Sequence, residues 1–195
     1  LENSSRILLQ SYAQLRIEAY AADYFAALAE LGKHQRGHTL ALFLGSNISN
    51  FDPSEAVKFL HALRGVLSNG DALLLGADLK KDVATIEAAY NDALGVTAAF
   101  NLNVLARINR ELGGKFDLRS FEHSAFYNQD KGRVEIYIKS LKEQTVSIDE
   151  LGMQVHFAAG ELIHTENSYK YDQHDIASLA SATGFKASRT WTDSQ

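Results

Sequence analysis

The chain has 195 residues, with 19 Lys plus Arg against 24 Asp plus Glu, and a formal net charge of -5 at pH 7. That length allows one core of good size, and the acidic balance argues against a general nucleic-acid binder. The zero cysteine count removes disulfides, thiolate zinc sites, cysteine-ligated iron–sulfur clusters and cysteine nucleophiles together.

Residues 4–15 (SSRILLQSYAQL) have the pattern of a helix, with Ser4 or Ser5 as its cap. Residues 16–22 (RIEAYAA) read as a short strand, and residues 24–31 as a helix ended by Gly32. Residues 39–44 (TLALFL) are an almost wholly apolar strand, of the kind usually covered on both faces. A helix follows over 52–67, where Asp52 can cap and Pro53 sits in the first turn, where a missing N–H costs nothing. Ala56, Val57, Leu60, Leu63, Val66 and Leu67 mark its apolar face. Asn69-Gly70-Asp71 is a turn signal, and residues 72–75 form a second buried strand. Residues 82–94 and 97–112 read as two helices split by Gly95, the second closed by Gly113 and Gly114. The strand–helix alternation predicts a parallel α/β sheet.

The last third changes character. Residues 121–127, 133–141, 145–148 and 162–171 alternate or carry β-branched and aromatic side chains, and the turn at 129–132 (QDKG) predicts a hairpin. A short helix over 172–182, bounded by Thr183 and Gly184, leads to a closing strand at 185–191. This is an antiparallel or mixed extension of the parallel sheet. The chain opens in a helix with no strand before it, and Gly45 and Gly95 are isolated glycines rather than a G-x-G-x-x-G fingerprint. Either the ligand site is of another kind, or the front part of the fold is not in this sequence. No apolar run reaches the about 18 residues a membrane helix needs, and the start has no signal-peptide pattern, so a cytoplasmic protein is expected.

Four polar constellations could carry chemistry. The segment 44–50 (LGSNISN) follows a buried strand, where open α/β sheets bind ligands. Gly45 allows close backbone approach there, and Asn50 offers a donor and an acceptor, but a plain strand-to-helix loop would look the same. Asp78 ends the next strand and reads as a helix cap before it reads as a ligand for an amine. Tyr90 has core spacing with Ile86 and Leu94, yet a buried phenol needs a hydrogen-bond partner. On a strand over 162–171, Glu166 and Ser168 share a face with His164 and Lys170, which is either a solvent face or a polar clamp. Asp23 and Tyr24 can serve a purine, as carboxylate and stacking ring, or can simply start a helix. The seven histidines, His34, His38, His61, His123, His156, His164 and His174, are scattered and form no H-E-x-x-H, so no metal is expected. No G-x-S-x-G elbow and no aromatic-interleaved basic patch occurs.

The stretches FLGSNISNFDPSEA (43–56), LLLGADLKKD (73–82), AYNDALGVTAAFNLNVLARINREL (89–112), FAAGELIHTENSYKY (157–171) and RTWTD (189–193) give the chain its resemblance to a known family. It resembles the histidine-specific, S-adenosylmethionine-dependent methyltransferases of ergothioneine biosynthesis. The resemblance implies a class I, Rossmann-like methyltransferase sheet with an inserted α+β substrate-binding region. It implies three methyl transfers from S-adenosylmethionine to the α-amino nitrogen of L-histidine, without a metal, giving the trimethylated betaine hercynine. By the same resemblance Asn50 and Tyr90 hold the amino acid's backbone end, and Gly45 and Ser46 lie beside the methyl donor and the reacting amine. Asp23 and Tyr24 become the adenine-side pair, while Glu166 and Ser168 hold the imidazole. Ile136 stands where the family commonly has a methionine, which keeps an apolar wall but changes its shape. Residues 1–82 then belong to the methyltransferase core, 83–171 to the substrate-binding region and 172–195 to the core again. The family's first strand and Gly-rich cofactor loop have no counterpart here, so a further N-terminal segment is expected to complete the sheet. Two alternatives are the same fold acting on another amino acid or amine, and a non-catalytic fragment that needs a separate N-terminal part.

Overall fold

The computed structural model describes residues 1–31 and 37–193. Gly32, expected to end the second helix, and His34 lie outside the described residues. In chain order the helices are α1 (Glu2–Ser11), α2 (Tyr24–Leu31), α3 (Pro53–Val66), α4 (Val83–Tyr90), α5 (Val96–Leu112) and α6 (Gln173–Ala182). The strands are β1 (Leu40–Phe43), β2 (Ala72–Leu75), β3 (Phe121–Asn128), β4 (Arg133–Ser140), β5 (Gln144–Ile148), β6 (Met153–Phe157) and β7 (Leu162–Tyr169). The result is a mixed α/β chain that divides into two compact units. One comprises Leu1–Leu42, Pro53–Leu74 and Ala177–Gln195; the other comprises Phe43–Asp52 and Leu75–Ile176.

In the first unit, α1 starts at Glu2, so Ser4 and Ser5 lie inside the helix rather than capping it. None of its residues is buried. Residues 16–22 do not form the expected strand: no described strand pairs with them, and strand propensity without a ladder partner leaves the backbone irregular. The same reason removes the expected closing strand at 185–191. Helix α2 begins where Asp23 Oδ1 accepts the N–H groups of Phe25 (2.9 Å) and Ala26 (3.0 Å), an N-cap. It packs on α3, whose Ala56, Phe59, Leu60 and Leu63 recur at helical spacing and are buried. Pro53 is the first residue of α3, as its fixed φ and missing N–H favour.

Strands β1 and β2 pair with each other. Ala72 N–H donates to Thr39 C=O at 3.0 Å and Gly76 N–H to Phe43 C=O at 2.9 Å, so the bonds advance in one direction along both strands and the pair is parallel. The expectation that the first of these strands is covered on both faces does not hold. Leu40 and Leu42 are each 60% exposed, because among the described residues nothing packs over that face.

The second unit is built on an antiparallel sheet of order β3-β4-β7 and a separate β5–β6 hairpin. The β3–β4 hairpin turns where expected, with Gly132 at φ 63°. Strand β6 was not anticipated: its five residues, MQVHF, are half exposed, and so short an alternation is hard to tell from a loop. Helix α5 lies against β3 and β4, and Leu105 joins Phe116, Phe121, Ile138, Val146, Ile148 and Phe157 in the main core. A second cluster of Ile86, Val134 and Ile136, with Tyr90, Ala125 and Tyr127 against it, joins α4 to the same sheet.

One irregularity governs the site. Ile136 pairs with Glu166, but the next residue of β4, Tyr137, pairs with His164, leaving Thr165 as a bulge in β7. Glu166 and Ser168 pair with Ile136 and Val134, two apart on each strand, and so share the face of Ile136. His164 is turned to the opposite face, where its ring meets Tyr137 at 5.0 Å and its Nε2 lies 2.9 Å from Asn167 Oδ1. The expected shared face of His164 with Glu166 is therefore corrected: the bulge breaks the period of two between them. No described helix is long and apolar enough to cross a membrane.

Candidate active site

The centre of the candidate site lies where the end of α4 meets β7. The Tyr90 and Ser168 hydroxyls are 2.7 Å apart. Lys170, two residues along from Ser168, donates from Nζ to Tyr90 Oη (2.7 Å) and Ser168 Oγ (2.9 Å). Its remaining partner is Asp78 Oδ2 at 2.9 Å. The Lys170 side chain is 1% exposed, and its ammonium also sits 4.6 Å from the centroid of the Tyr90 ring. A lysine so buried needs a compensating charge, and Asp78 supplies it. Burial alone pushes the Asp78 carboxyl up; the Lys170 hydrogen bond and charge outweigh this and hold it below its ordinary value. Asp78 thus does not cap the following helix as expected. Asp82 does, accepting from Thr85 N–H at 2.9 Å.

The backbone behind Tyr90 is fixed by a second chain of polar groups. His123 Nε2 lies 2.9 Å from Tyr90 C=O and Nδ1 lies 3.0 Å from Asn101 Nδ2. The amide must donate to Nδ1, so the imidazole carries its proton on Nε2 and donates it to Tyr90. Asn101 also donates to Tyr137 C=O (2.9 Å) and accepts from the bulged Thr165 hydroxyl (2.8 Å). One buried amide on α5 thereby fixes the end of α4 and the bulge that orients Glu166. Ile136, 4% exposed, packs with Ile86 and Tyr90 beneath this face, an apolar floor under Glu166 and Ser168. Glu166 is half-buried, and no hydrogen bond or ion pair engages its carboxylate among the described residues.

The loop after β1 belongs to the same unit. Gly45 (φ 71°) and Ser46 (φ 55°) are both left-handed, and Ser46 is the one non-glycine residue with positive φ among those described. Such strain on a serine is typical of functional loops. A 3-10 turn, Asn47–Asn50, runs beside β7, with Asn50 exposed at its end. Two tyrosines at the end of β7 clasp the loop: Tyr171 donates to Ile48 C=O (3.3 Å) and Tyr169 to Asp52 Oδ1 (2.7 Å). Ser49, 1% exposed, has a buried hydroxyl with no partner among the described residues. Asp23 and Tyr24 lie in the other unit. There Asp23 caps α2, and Tyr24, 48% exposed, meets Phe59 edge-on at 5.5 Å between centroids.

The structure thus brings Tyr90, Ser168, Glu166 and Ile136 onto one face, with the Gly45–Asn50 loop beside β7. The strand pattern puts Lys170 on that face without giving it a role. The signal was present in the sequence: a lysine two residues beyond Ser168 in a strand must point where Ser168 points.

The Tyr90 and Ser168 hydroxyls and the Glu166 carboxylate together offer both hydrogen-bond donors and an acceptor on one face. The comparisons sharpen this. The family described as "Histidine-specific methyltransferase, SAM-dependent" matches residues 1–195. A protein named histidine N-alpha-methyltransferase from Mycolicibacterium smegmatis is 39% identical over 193 residues, covering 99% of this chain and 60% of the relative. Its namesake from Mycobacterium tuberculosis is 40% identical over the same shares. An L-tryptophan methyltransferase from Psilocybe serbica is 33% identical over 154 residues, covering 78% of this chain and 43% of that protein. The chain belongs to the family of histidine-specific, S-adenosylmethionine-dependent methyltransferases. It spans 60% of the length of the two bacterial relatives.

Proposed function

We propose that this chain forms the amino-acid-binding part of an enzyme that transfers methyl groups from S-adenosylmethionine to the α-amino nitrogen of L-histidine, giving hercynine. The observation that carries the reading is the Tyr90–Ser168 contact at 2.7 Å, with Glu166 on the same face of β7. In this reading Asn50 and Tyr90 hold the carboxylate, Glu166 accepts a ring N–H, Ser168 serves the other ring nitrogen, and Ile136 is the apolar floor. A carboxylate that must receive an N–H discriminates strongly against side chains lacking one, because it is then left buried and unpaired. Residues 83–171 are the substrate-binding region, and residues 1–82 and 172–195 belong to a Rossmann-like core.

Each unit, taken by itself, carries groups that suit a part of the methyl donor. Asp23 caps α2 through Oδ1 alone, which leaves Oδ2 to accept from an exocyclic amine, and the half-exposed Tyr24 ring can stack on a base. Gly45, exposed and left-handed, admits a ligand close to the backbone beside Ser46. When bound, S-adenosylmethionine supplies a sulfonium methyl. The chain's own residues align the amine lone pair with that methyl carbon, so that an N–C bond forms as the C–S bond breaks and the sulfur leaves neutral. The ammonium must lose a proton before each transfer, and the quaternary product has none left to lose. The exposed leucines of β1, Leu40 and Leu42, suit a further apolar segment packed over that face.

The tryptophan-named relative supports a second reading, the same chemistry on a larger side chain, in which Ile136 reshapes the pocket. Turnover of the gene product containing this chain on histidine, tryptophan and tyrosine separates the two. Highest kcat/KM on histidine is expected; a clear preference for tryptophan contradicts the histidine assignment.

A further inference from the structure

We infer that Lys170 is a positioning residue of the amino-acid site, making Tyr90 and Ser168 a single hydrogen-bonding unit with one outward proton. This rests on the reading that these hydroxyls face the amino acid. An ammonium has three protons and no lone pair. Lys170 directs them at Tyr90 Oη (2.7 Å), Ser168 Oγ (2.9 Å) and Asp78 Oδ2 (2.9 Å), so its donors are used up. Each hydroxyl thereby accepts from the same cation. The two hydroxyls bring two protons of their own, and the 2.7 Å contact between them uses one. The other proton has no acceptor within the triangle and points outward.

The consequence is chemical selection. The unit offers its free proton to an acceptor, an unprotonated ring nitrogen or a carboxylate oxygen. Glu166, on the same face and without a partner among the described residues, takes the opposite role and calls for a donor. Imidazole in its neutral form carries one nitrogen of each kind. Without the ammonium, both hydroxyls are free to turn toward each other or to water, and the outward proton is no longer fixed. With Asp78 beside it, Lys170 carries out this ordering without leaving an uncompensated charge in the wall.

The test is a double-mutant cycle in the gene product that contains this chain, read by calorimetry with L-histidine and, separately, with S-adenosylmethionine. Lys170→Met keeps the volume and removes the donors. It should weaken histidine binding by at least about tenfold and leave cofactor affinity within about twofold. In a Tyr90→Phe/Ser168→Ala background, where the hydroxyls are gone, the same change should cost less than about twofold further. A Lys170→Met protein that binds histidine as the parent does overturns the inference, and so does an equal loss in both backgrounds. If the parent binds no histidine at all, the inference falls with the histidine reading. If the parent binds and Lys170→Met is silent, the inference alone falls. Should Lys170→Met not fold, the wild-type protein answers through the Lys170 ammonium signal in 15N-edited NMR. Histidine should shift that signal and slow its exchange with solvent; an unmoved signal overturns the inference.

Discussion

In the proposed reading, Glu166 is the residue that receives the imidazole N–H. It is half-buried, faces the same way as Ser168 and is engaged by nothing among the described residues, so its carboxylate is available to a ligand N–H. Glu166→Ala is expected to weaken histidine binding by at least about tenfold and to narrow the preference for histidine over other amino acids. Unchanged affinity by calorimetry removes the role. Asn50 stands at the exposed end of the loop clasped by Tyr169 and Tyr171. Asn50→Ala should cost about 1–3 kcal/mol in transition-state stabilisation, the usual penalty for a polar partner left unmet. A loss of less than a few fold in kcat/KM argues that the amide does not touch the substrate.

At the scale of elements, the bulge at Thr165 and the amide of Asn101 form the support behind the site. Asn101 holds His123, Tyr137 C=O and Thr165 together, and His123 in turn holds the carbonyl of Tyr90. Asn101→Leu keeps the volume but removes the amide from His123 and Tyr137 C=O and leaves Thr165 only its bond to Ile136 C=O. The expected result is a fall in stability of at least about 2 kcal/mol by denaturant titration, with weaker histidine binding because Tyr90 loses its anchor. A stable variant with a normal denaturation midpoint contradicts this account of the support.

The elements show what a sequence can disclose. Periodicity and capping disclosed α3, α5 and the β3–β4 hairpin, because Pro53, Gly95, Gly113 and Gly132 each fix a local backbone state. Residues 16–22 and 185–191 misled because strand formation depends on a neighbour as much as on composition. The bulge was invisible because nothing in LIHTENSYKY marks an extra residue; it exists through tertiary bonds from Thr165 to Asn101 and to Ile136 C=O. That one residue decides that His164 leaves the site face. The Lys170–Asp78 pair was likewise hidden, since the two lie far apart in sequence and meet only when β7 is laid beside the β2 loop.

Across the whole molecule, the face of the sheet opposite the site carries its own buried ion pair. Arg133 donates to Glu135 Oε1 from Nη2 at 2.7 Å, and Tyr137 donates to Oε2 at 2.8 Å. Burial alone raises the Glu135 carboxyl; the bonds from Arg133, Tyr137 and Lys131 outweigh it and hold the group at about 2. A pKa lowered on folding adds stability above the unfolded value of about 4.3, and that stability is lost as pH falls from there toward the folded value. Acid unfolding should therefore steepen below about pH 4 in the wild type and flatten in Glu135→Gln, as followed by circular dichroism. Identical acid limbs would show that the pair does not govern acid stability.

The account depends on Tyr90, Ser168 and Glu166 being one wall of a histidine site. A crystal structure of the gene product with L-histidine bound tests this most directly. The imidazole should lie between the Glu166 carboxylate and the Ser168 hydroxyl, with the amino acid's carboxylate on Asn50 and Tyr90. Histidine bound elsewhere, or a ring that makes no contact with Glu166, contradicts it.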